Sequence, residues 1–569
     1  MVAYIYQIFM STVNRTRIFL AIILALTLVC YAPALRNGFV QWDDTRYLDA
    51  PAIQKLDRAH LAAVFGDFYQ GNYIPLTFFS FALEKACGAE TPRSFILANI
   101  IFHLLNTLLV FAFVRLLLRF PMRDKADSSR DIAALVAALL FGIHPLHVES
   151  VAWIAERKDV LYAFFFLSSI IAYLYFVRSK KAGWFLLALA AMLLSALSKT
   201  MGIALTFSLV AIDIFLGRSY RERRLWLEKI PFLCITAVFA CVGMNAVHHG
   251  AADLNSYSLS FMERGALASY AFFNYIAKLF LPVSLSAYYP YPMAPGQSMP
   301  AWVWLFPLLI IALMILLFVF RHKRIVVFGT LFFAFNIFMA LQFFPVGDSL
   351  MGDRFVYIAA LGLFIPAGQV CWNFFECKRK RTAPVLLLSV VSLLFIYVSR
   401  ERCKKWKDAE TLWTDVIAQY DNVPMAYTNR GNALFQEGNV NGALADYDHA
   451  IALHHGTKDA YYNRAVVLFQ NKQYDKAAAD FSEVIKLDAG DKDALYDRAL
   501  CYIYSDKKKE ALNDLNGYIK LDPGSADAYG KRGVMRIQLG DSLGACDDWR
   551  KAAGMGSAEA KNALEHYCK

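Results

Sequence analysis

Hydrophobic positions divide the chain into two regimes that meet near residue 400. Before it, a dozen apolar stretches alternate with short polar segments; after it, apolar positions thin out and recur at a fixed interval. A run of about 18 or more apolar residues is long enough to cross a bilayer as a helix, so residues 1–400 read as polytopic. Residues 18–34 are expected to form the first span rather than a cleavable leader, because more spans follow. In the second regime the interval is 34. Ala426, Ala460, Ala494 and Ala528 recur in register, each followed four residues later by Arg430, Arg464, Arg498 and Arg532. A second set, Ala443, Ala477, Ala511 and Ala545, precedes the large residues Tyr447, Phe481, Leu515 and Trp549. Small residues at 431, 465, 499 and 533 fall where two antiparallel helices must approach closely.

That period and pattern resemble the tetratricopeptide repeat, a helix pair that buries its apolar face only by stacking on its neighbours. Stepping back one period lands on Ala409 and Trp413, so a half repeat is expected over 405–423, with repeats starting at 424, 458, 492 and 526 and a polar capping helix over 558–569. The predicted fold is all-α: a membrane domain over 1–400, then a repeat solenoid over 401–569. Composition agrees, since 58% hydrophobic residues and a mean hydropathy of +0.38 are too apolar for a soluble chain of this length. Before residue 401 there are 35 Lys and Arg against 21 Asp and Glu, and after it 23 against 26. The membrane part is thus +14 and the repeats −3, which suits lipid phosphate and gives no footprint for nucleic acid. The ten cysteines show no paired metal-type spacing and leave the redox compartment open.

Orientation follows from where Lys and Arg collect. Basic clusters at Arg15 and Arg17, 115–130, Arg178–Lys181, Arg218–Lys229, Arg321–Arg324 and Lys378–Arg381 belong on the cytoplasmic side. Between neighbouring clusters the chain crosses an even number of times, yet 231–248, 264–281 and 303–320 place three apolar segments in one interval. The middle one carries Asn274 and Lys278 and is expected to be interfacial or re-entrant. Eleven crossings result, with the N-terminus cytoplasmic and the repeats on the far side, periplasmic in a bacterial inner membrane or lumenal in an endoplasmic reticulum.

This orientation gathers polar residues at span boundaries on the non-cytoplasmic face: Trp42-Asp43-Asp44, the 72–76 loop, His144 to Ser150, Glu156-Arg157-Lys158-Asp159, Lys199, and Asp353-Arg354. Ionisable groups at membrane depth are costly, and their convergence marks a functional site. At these residues the chain resembles the transmembrane-and-TPR O-mannosyltransferases and their bacterial relatives, within the C-type fold of glycosyltransferases that use polyprenyl-phosphate sugars. The most specific stretch is His144 to Asp159, then Trp42-Asp43-Asp44, Ser198-Lys199-Thr200 and Asp353-Arg354. The resemblance implies transfer of a sugar, mannose by family default, from a lipid-linked donor to Ser or Thr hydroxyls of an acceptor protein. It also implies an acidic residue in the first outer loop as general base, matched here by Asp43 and Asp44. The Arg or His often found in the family's Tyr-X-Pro-Leu motif is Ile74 here, so no phosphate-binding role carries over to that loop.

The chemistry requires such residues. A hydroxyl attacks well only as a carboxylate takes its proton, and polyprenyl phosphate leaves only if its growing charge is stabilised. Adjacent carboxylates point in different directions, so one of Asp43 and Asp44 is expected to be the base and the other to orient the sugar or ligate a cation. Arg157, Lys158, Lys199 and Arg354 are the expected partners of the leaving phosphate in an inverting single displacement. His144, His147, Glu149, Asp159 and Asp353 are supporting residues. The two histidines either join a carboxylate on a divalent cation or make structural hydrogen bonds, and Glu149 with Arg157 is equally readable as an ion pair pinning the loop. Beyond the lipid-linked donor the residues point to no definite cofactor, and a divalent cation stays open. His103, Asn106 and Asp213 read as groups that bond neighbouring helices.

In the repeats, Asn429, Asn463, Asp497 and Lys531 share one register on the inner helices, where amides can bond an extended acceptor peptide. The arginine ladder reads as a set of struts between helices. Two other functions stay open: the same fold acting on a surface glycan or lipid, and a non-enzymatic membrane scaffold.

Overall fold

The computed structural model describes residues 12–69, 71–120, 127–250, 259–294, 296–341, 343, 349–376 and 382–568. The basic cluster Lys378–Arg381 lies outside them. Two compact units divide between Leu412 and Trp413. Among the described residues the elements are helices, with isolated antiparallel bridges at Tyr69–Asn72 and Tyr289–Met351.

The first unit is a polytopic membrane domain. Six of its described helices are long and apolar enough to cross a bilayer: Arg15–Arg36, Pro92–Leu118, Ile154–Ser179, Arg223–Ala246, Ala301–Val319 and Thr382–Lys405. A seventh span results if Arg130–Ile143 and Pro145–Ala152, bent by 54°, count as one. Ala182–Ser198, Thr200–Leu216 and Arg324–Ala340 are apolar but shorter. Length and composition therefore supply six or seven of the eleven crossings expected, with the shorter helices as candidates for the rest. Phe261–Phe280, expected not to cross, is absent from the helices that pass as spans.

Ile154–Ser179 is the central span, with 67% of its apolar window buried, whereas Ala301–Val319 at 6% stands at the rim. Polar side chains tie the spans where lipid offers no partner. His103 bonds the Gly142 carbonyl at 3.1 Å and the Tyr357 hydroxyl at 2.7 Å, and Asn106 donates to the Val160 carbonyl at 2.8 Å. Asp213 accepts from Tyr173 at 2.9 Å and pairs with Arg218 at 3.0 Å and Lys229 at 2.5 Å. All three residues thus bond neighbouring helices, as expected. Gly329 and Gly362 let Arg324–Ile337 and Leu361–Glu376 cross backbone to backbone; a Cβ added at either would overlap the other's carbonyl oxygen.

The second unit carries the tetratricopeptide repeats. Four helix pairs run Pro424–Gln436 with Val440–Leu453, Lys458–Gln470 with Tyr474–Leu487, Lys492–Tyr504 with Lys508–Leu521, and Ala526–Gln538 with Ser542–Gly554; Ala558–Tyr567 follows. The periodic alanines are fully buried, and a Cβ at Gly431 or Gly533 would overlap Tyr447 or Trp549. The arginine ladder forms struts. Arg430, Arg464, Arg498 and Arg532 each hold, at 2.5–2.8 Å, both oxygens of an aspartate sixteen residues on: Asp446, Asp480, Asp514 and Asp548. Arg464, Arg498 and Arg532 also reach back sixteen residues to Asp448, Ser482 and Asn516 on the preceding pair.

Removing one strut strands a buried carboxylate. Arg498→Leu should cost about 2 kcal/mol, below the ~3–5 kcal/mol of a fully buried pair because the guanidinium keeps some water contact. Limited proteolysis of the full chain should then cut within 492–521 faster than in the wild type, while Arg550→Leu, an exposed i,i+3 pair with Asp547, should leave the rate unchanged.

Candidate functional site

The site is built around the end of the central span. The 3₁₀ turn Ile154–Glu156 runs directly into the helix Arg157–Ser179, so Glu156 to Asp159 stand in its first turn, buried. Glu156 is the hub. Its carboxylate pairs with Lys158 at 3.1 Å, Lys199 at 3.4 Å and Arg354 at 3.3 Å. Lys199 also holds Asp159 at 2.5 Å, and the other oxygen of Asp159 accepts from Ser150 at 2.9 Å. Arg354 closes on Glu149, whose second oxygen accepts from the Arg354 backbone at 3.1 Å. Lys158, Lys199, Arg354, Glu149 and Asp159, expected on one face of the membrane, join in one network.

Two expectations change. Arg157 points away from this network into the packing of two other helices, where it bonds Glu84, Asn99 and the Phe95 carbonyl under the rings of Phe81 and Phe102. A helix turns about 100° per residue, so Arg157 and Lys158 cannot share a direction. The pair Glu149–Arg157 is likewise replaced by Glu149–Arg354. Glu156 carried no signal to set it apart from the other charges of its run.

The loop after the first span is pinned to this network. Asp44 is buried and accepts from the Val40 and Ala155 backbone N–H groups, each at 2.9 Å. Burial pushes its carboxyl up to about 7, against the pull of those two N–H donors and with the charge of Asp43 adding to the rise. Trp42 stacks on Trp153 at 4.7 Å and Trp153 on Trp406 at 5.2 Å. Asp43 is half-buried, and no hydrogen bond or ion pair to its carboxylate is found among the described residues; its charge is felt by Asp44, Tyr47 and Lys158. Tyr47, which sequence reasoning missed, is buried 3.4 Å from the Lys158 ammonium. The end of the last span lies on the same side: the Lys407 carbonyl accepts from Gly38 at 2.7 Å and the Cys403 carbonyl from Asn37 at 3.0 Å.

The histidines bond the backbone, through both ring nitrogens of His144 and through Nδ1 alone of His147, whose Nε2 is buried with no hydrogen-bond partner among the described residues. His144 bonds the Leu279 carbonyl at 3.0 Å and accepts from Leu146 at 3.2 Å, and His147 bonds the Phe141 carbonyl at 2.8 Å. Among the described residues no group of three or more His, Cys, Asp or Glu is placed to hold a metal ion. Asp353 accepts from the Tyr289 hydroxyl at 2.7 Å, and burial raises its carboxyl to about 6 despite the nearby charges of Arg402, Lys278 and Arg354. In the repeats, Asn463 donates to Asn432 at 2.9 Å and Asp497 accepts from Tyr462 at 2.7 Å, while no hydrogen bond to the Asn429 amide is found among the described residues.

The description "Tetratricopeptide repeat" matches residues 428–494 and again 493–525. Curated relatives are named protein O-mannosyl-transferases. TMTC3 of Homo sapiens is 27% identical over 40% of this chain and 24% of its own length. F38B6.6 of Caenorhabditis elegans is 24% identical over 76% of this chain and 62% of its own. Tmtc1 of Drosophila melanogaster is 31% identical over 30% of this chain and 20% of its own. The chain is therefore a relative of proteins that bear this name, matched over a fifth to about three-fifths of their length. Among solved structures, the crystal structure of MamA matches 27% of this chain and 90% of its own at 22% identity and a TM-score of 0.25. YrrB, titled a TPR protein with an unusual peptide-binding site, matches 27% and 97% at 21% identity and a TM-score of 0.20.

Asp44 gives the loop a pH dependence with a definite sign. Its carboxyl titrates near 3.8 in the unfolded chain and near 7 when folded, so the folded protein holds the proton between the two. Stability present below about pH 4 is therefore lost as pH rises through about 7. Thermal unfolding in detergent should show a fall in Tm between about pH 4 and 7 that is shallower in Asp44→Asn, which cannot ionise.

Proposed function

We propose that the protein is a membrane glycosyltransferase that moves a sugar from a polyprenyl-phosphate donor to Ser or Thr hydroxyls of a protein, with Asp43 as general base. The observation that carries the reading is the difference between two adjacent carboxylates. Asp44 is consumed in holding the loop, whereas Asp43 is half-buried within electrostatic reach of Lys158, with its oxygens unengaged by the described residues. The acceptor oxygen attacks the anomeric carbon, the bond from that carbon to the phosphate oxygen breaks, polyprenyl phosphate departs with the electron pair, and the hydroxyl proton passes to Asp43. One displacement inverts the anomeric centre. The Glu156 network orients Lys158 within electrostatic reach of the base and provides fixed charge in a site shielded from water. The names of the relatives support a mannose donor.

The repeats serve as the acceptor-binding module, in keeping with how such solenoids use their inner surface. Asn429 is the member of the expected register that is available for a peptide; Asn463 and Asp497 shape the groove around it. The N-terminus faces the cytoplasm, and the site and the repeats face the opposite side. Support comes from the disulfide Cys546–Cys568, which belongs to an oxidising compartment, and from the emergence of the last span beside the site. A surface glycan or lipid acceptor, with the repeats as an assembly platform, is the second reading.

Label from a panel of polyprenyl-phosphate sugars should enter protein with wild-type membranes. Asp43→Asn should lose about 10²–10⁴-fold of the rate with Tm unchanged, whereas Asp44→Asn should lose activity together with stability. Equal labelling by wild type and Asp43→Asn removes the base from Asp43, and label in glycan or lipid alone favours the second reading. Topology has its own check. Maleimide added to sealed, unreduced membranes should leave Cys546 and Cys568 unmodified until reductant is supplied; modification without reductant would place the repeats in a reducing compartment.

A further inference from the structure

The repeats supply their own control. Residues that stacking requires recur at the 34-residue interval, so a residue that breaks the register is not explained by stacking. Four such residues converge at the junction of the second and third helix pairs. The turn inside each pair holds one residue in the left-handed region, at 438, 472, 506 and 540. Glycine takes that place in the outer two pairs, but Lys472 (φ 60°) and Asp506 (φ 56°) take it in the inner two, at a steric cost that glycine avoids. Gln436, Gln470 and Gln538 close the first helix of three pairs, whereas Tyr504 closes that of the third. Tyr474 opens its helix where Val440, Lys508 and Ser542 open theirs.

These departures surround an open cavity of about 430 Å³, lined by Lys472, Gln473, Tyr474, Asp475, Lys476 and Ser505. The Tyr474 and Tyr504 rings stack at 5.2 Å, the Phe469 ring stands edge-on to them at 5.3 and 5.6 Å, and Tyr504 is 61% exposed. The cavity is thus bounded by an aromatic cluster that keeps contact with solvent. Asp475 pairs with Lys507 at 2.8 Å, which ties the turn of the second pair to that of the third. Among the described residues no hydrogen bond or ion pair to the side chains of Lys472, Gln473 and Lys476 is found. The volume lies within the about 300–1,000 Å³ of small-ligand sites, and the lining selects the ligand. A hydrocarbon would strip water from the lysines and the glutamine without replacing its hydrogen bonds. An anion would gain two ammonium groups but meet the Asp475 carboxylate and have no use for the rings. A pyranose fits both parts: its C–H face lies on an aromatic ring, and its hydroxyls accept from ammonium and amide N–H groups and donate to a carboxylate.

We propose that the junction of the second and third repeats binds a neutral pyranose unit of a glycan, with its C–H face on the Tyr474–Tyr504 pair and its hydroxyls on Lys472, Gln473, Asp475 and Lys476. The inference goes beyond sugar transfer: it gives the repeats a ligand other than the acceptor backbone and asks nothing of the reacting groups in the membrane unit.

The test is binding of methyl mannoside, glucoside, galactoside and N-acetylglucosaminide to the full-length protein in a detergent without a sugar headgroup, read by saturation-transfer NMR and titration. At least one glycoside should bind the wild type, with saturation strongest on its ring C–H protons. Tyr504→Gln gives the third pair the residue of the other three, and Tyr474→Val gives the second pair the residue of the first, so both should fold with Tm unchanged. Each should weaken the glycoside roughly tenfold or more, while Tyr474→Phe should stay within about threefold of the wild type. Lys472→Gly should weaken binding and raise Tm, since glycine relieves the left-handed turn. No glycoside binding by the wild type, equal binding by Tyr504→Gln, or a higher affinity for inorganic phosphate than for every glycoside would overturn the proposal. Glycoside binding by a chain that transfers no sugar would keep this site and remove the glycosyltransferase reading; transfer without glycoside binding would do the reverse.

Discussion

A buried carboxylate shared by three cations is the constraint on which the rest of the membrane unit turns. Burying a single ion costs several kcal/mol after relaxation, and Glu156 with Lys158, Lys199 and Arg354 is tolerable only because each charge finds partners at 3.1–3.4 Å. The residues come from three distant segments: the start of the central span, the turn after Ser198, and the loop before Leu361. Electrostatics thus fixes the relative placement of elements that apolar packing alone would let slide, since lipid and leucine are equally greasy. Glu149 and Asp159 complete the network and bring its charge to balance.

The same balance decides what each polar residue can do. Asp44 spends both oxygens on backbone donors and the Trp42–Trp153–Trp406 stack holds the loop against the network, so the neighbouring carboxylate is positioned without being consumed. Cations inside the matched network orient and pre-organise. A count of Lys and Arg on one face of the membrane cannot separate cations matched in this network from one that turns elsewhere, as Arg157 does.

The repeat unit uses charge in another way. There one arginine per repeat grips an aspartate sixteen residues on, and three of the four also reach back to the preceding pair, so the same strut joins helices within and between repeats. Its periodicity follows from the 34-residue unit itself. The alanines and glycines of the same register make the close approach that brings the strut within reach.

The sequence by itself determined the two regimes, the phase of the repeats, the helical class and the set of charged residues at span boundaries. All of these are local: hydropathy over a window, a period, and the cost of a charge in an apolar run can be read without knowing what packs against what. That 264–281 would not pass as a span by length and composition was legible in the same way from Asn274 and Lys278. Only the tertiary structure decided the partners. Glu149 meets Arg354 across 205 residues and Lys199 meets Asp159 across 40, while the adjacent Arg157 turns to Glu84. Such pairings depend on the rotation of each helix about its axis, where one residue is about 100°, and on which spans become neighbours. For the same reason the roles of Asp43 and Asp44, alike in sequence, separated only when the backbone donors of Val40 and Ala155 were seen to take one of them.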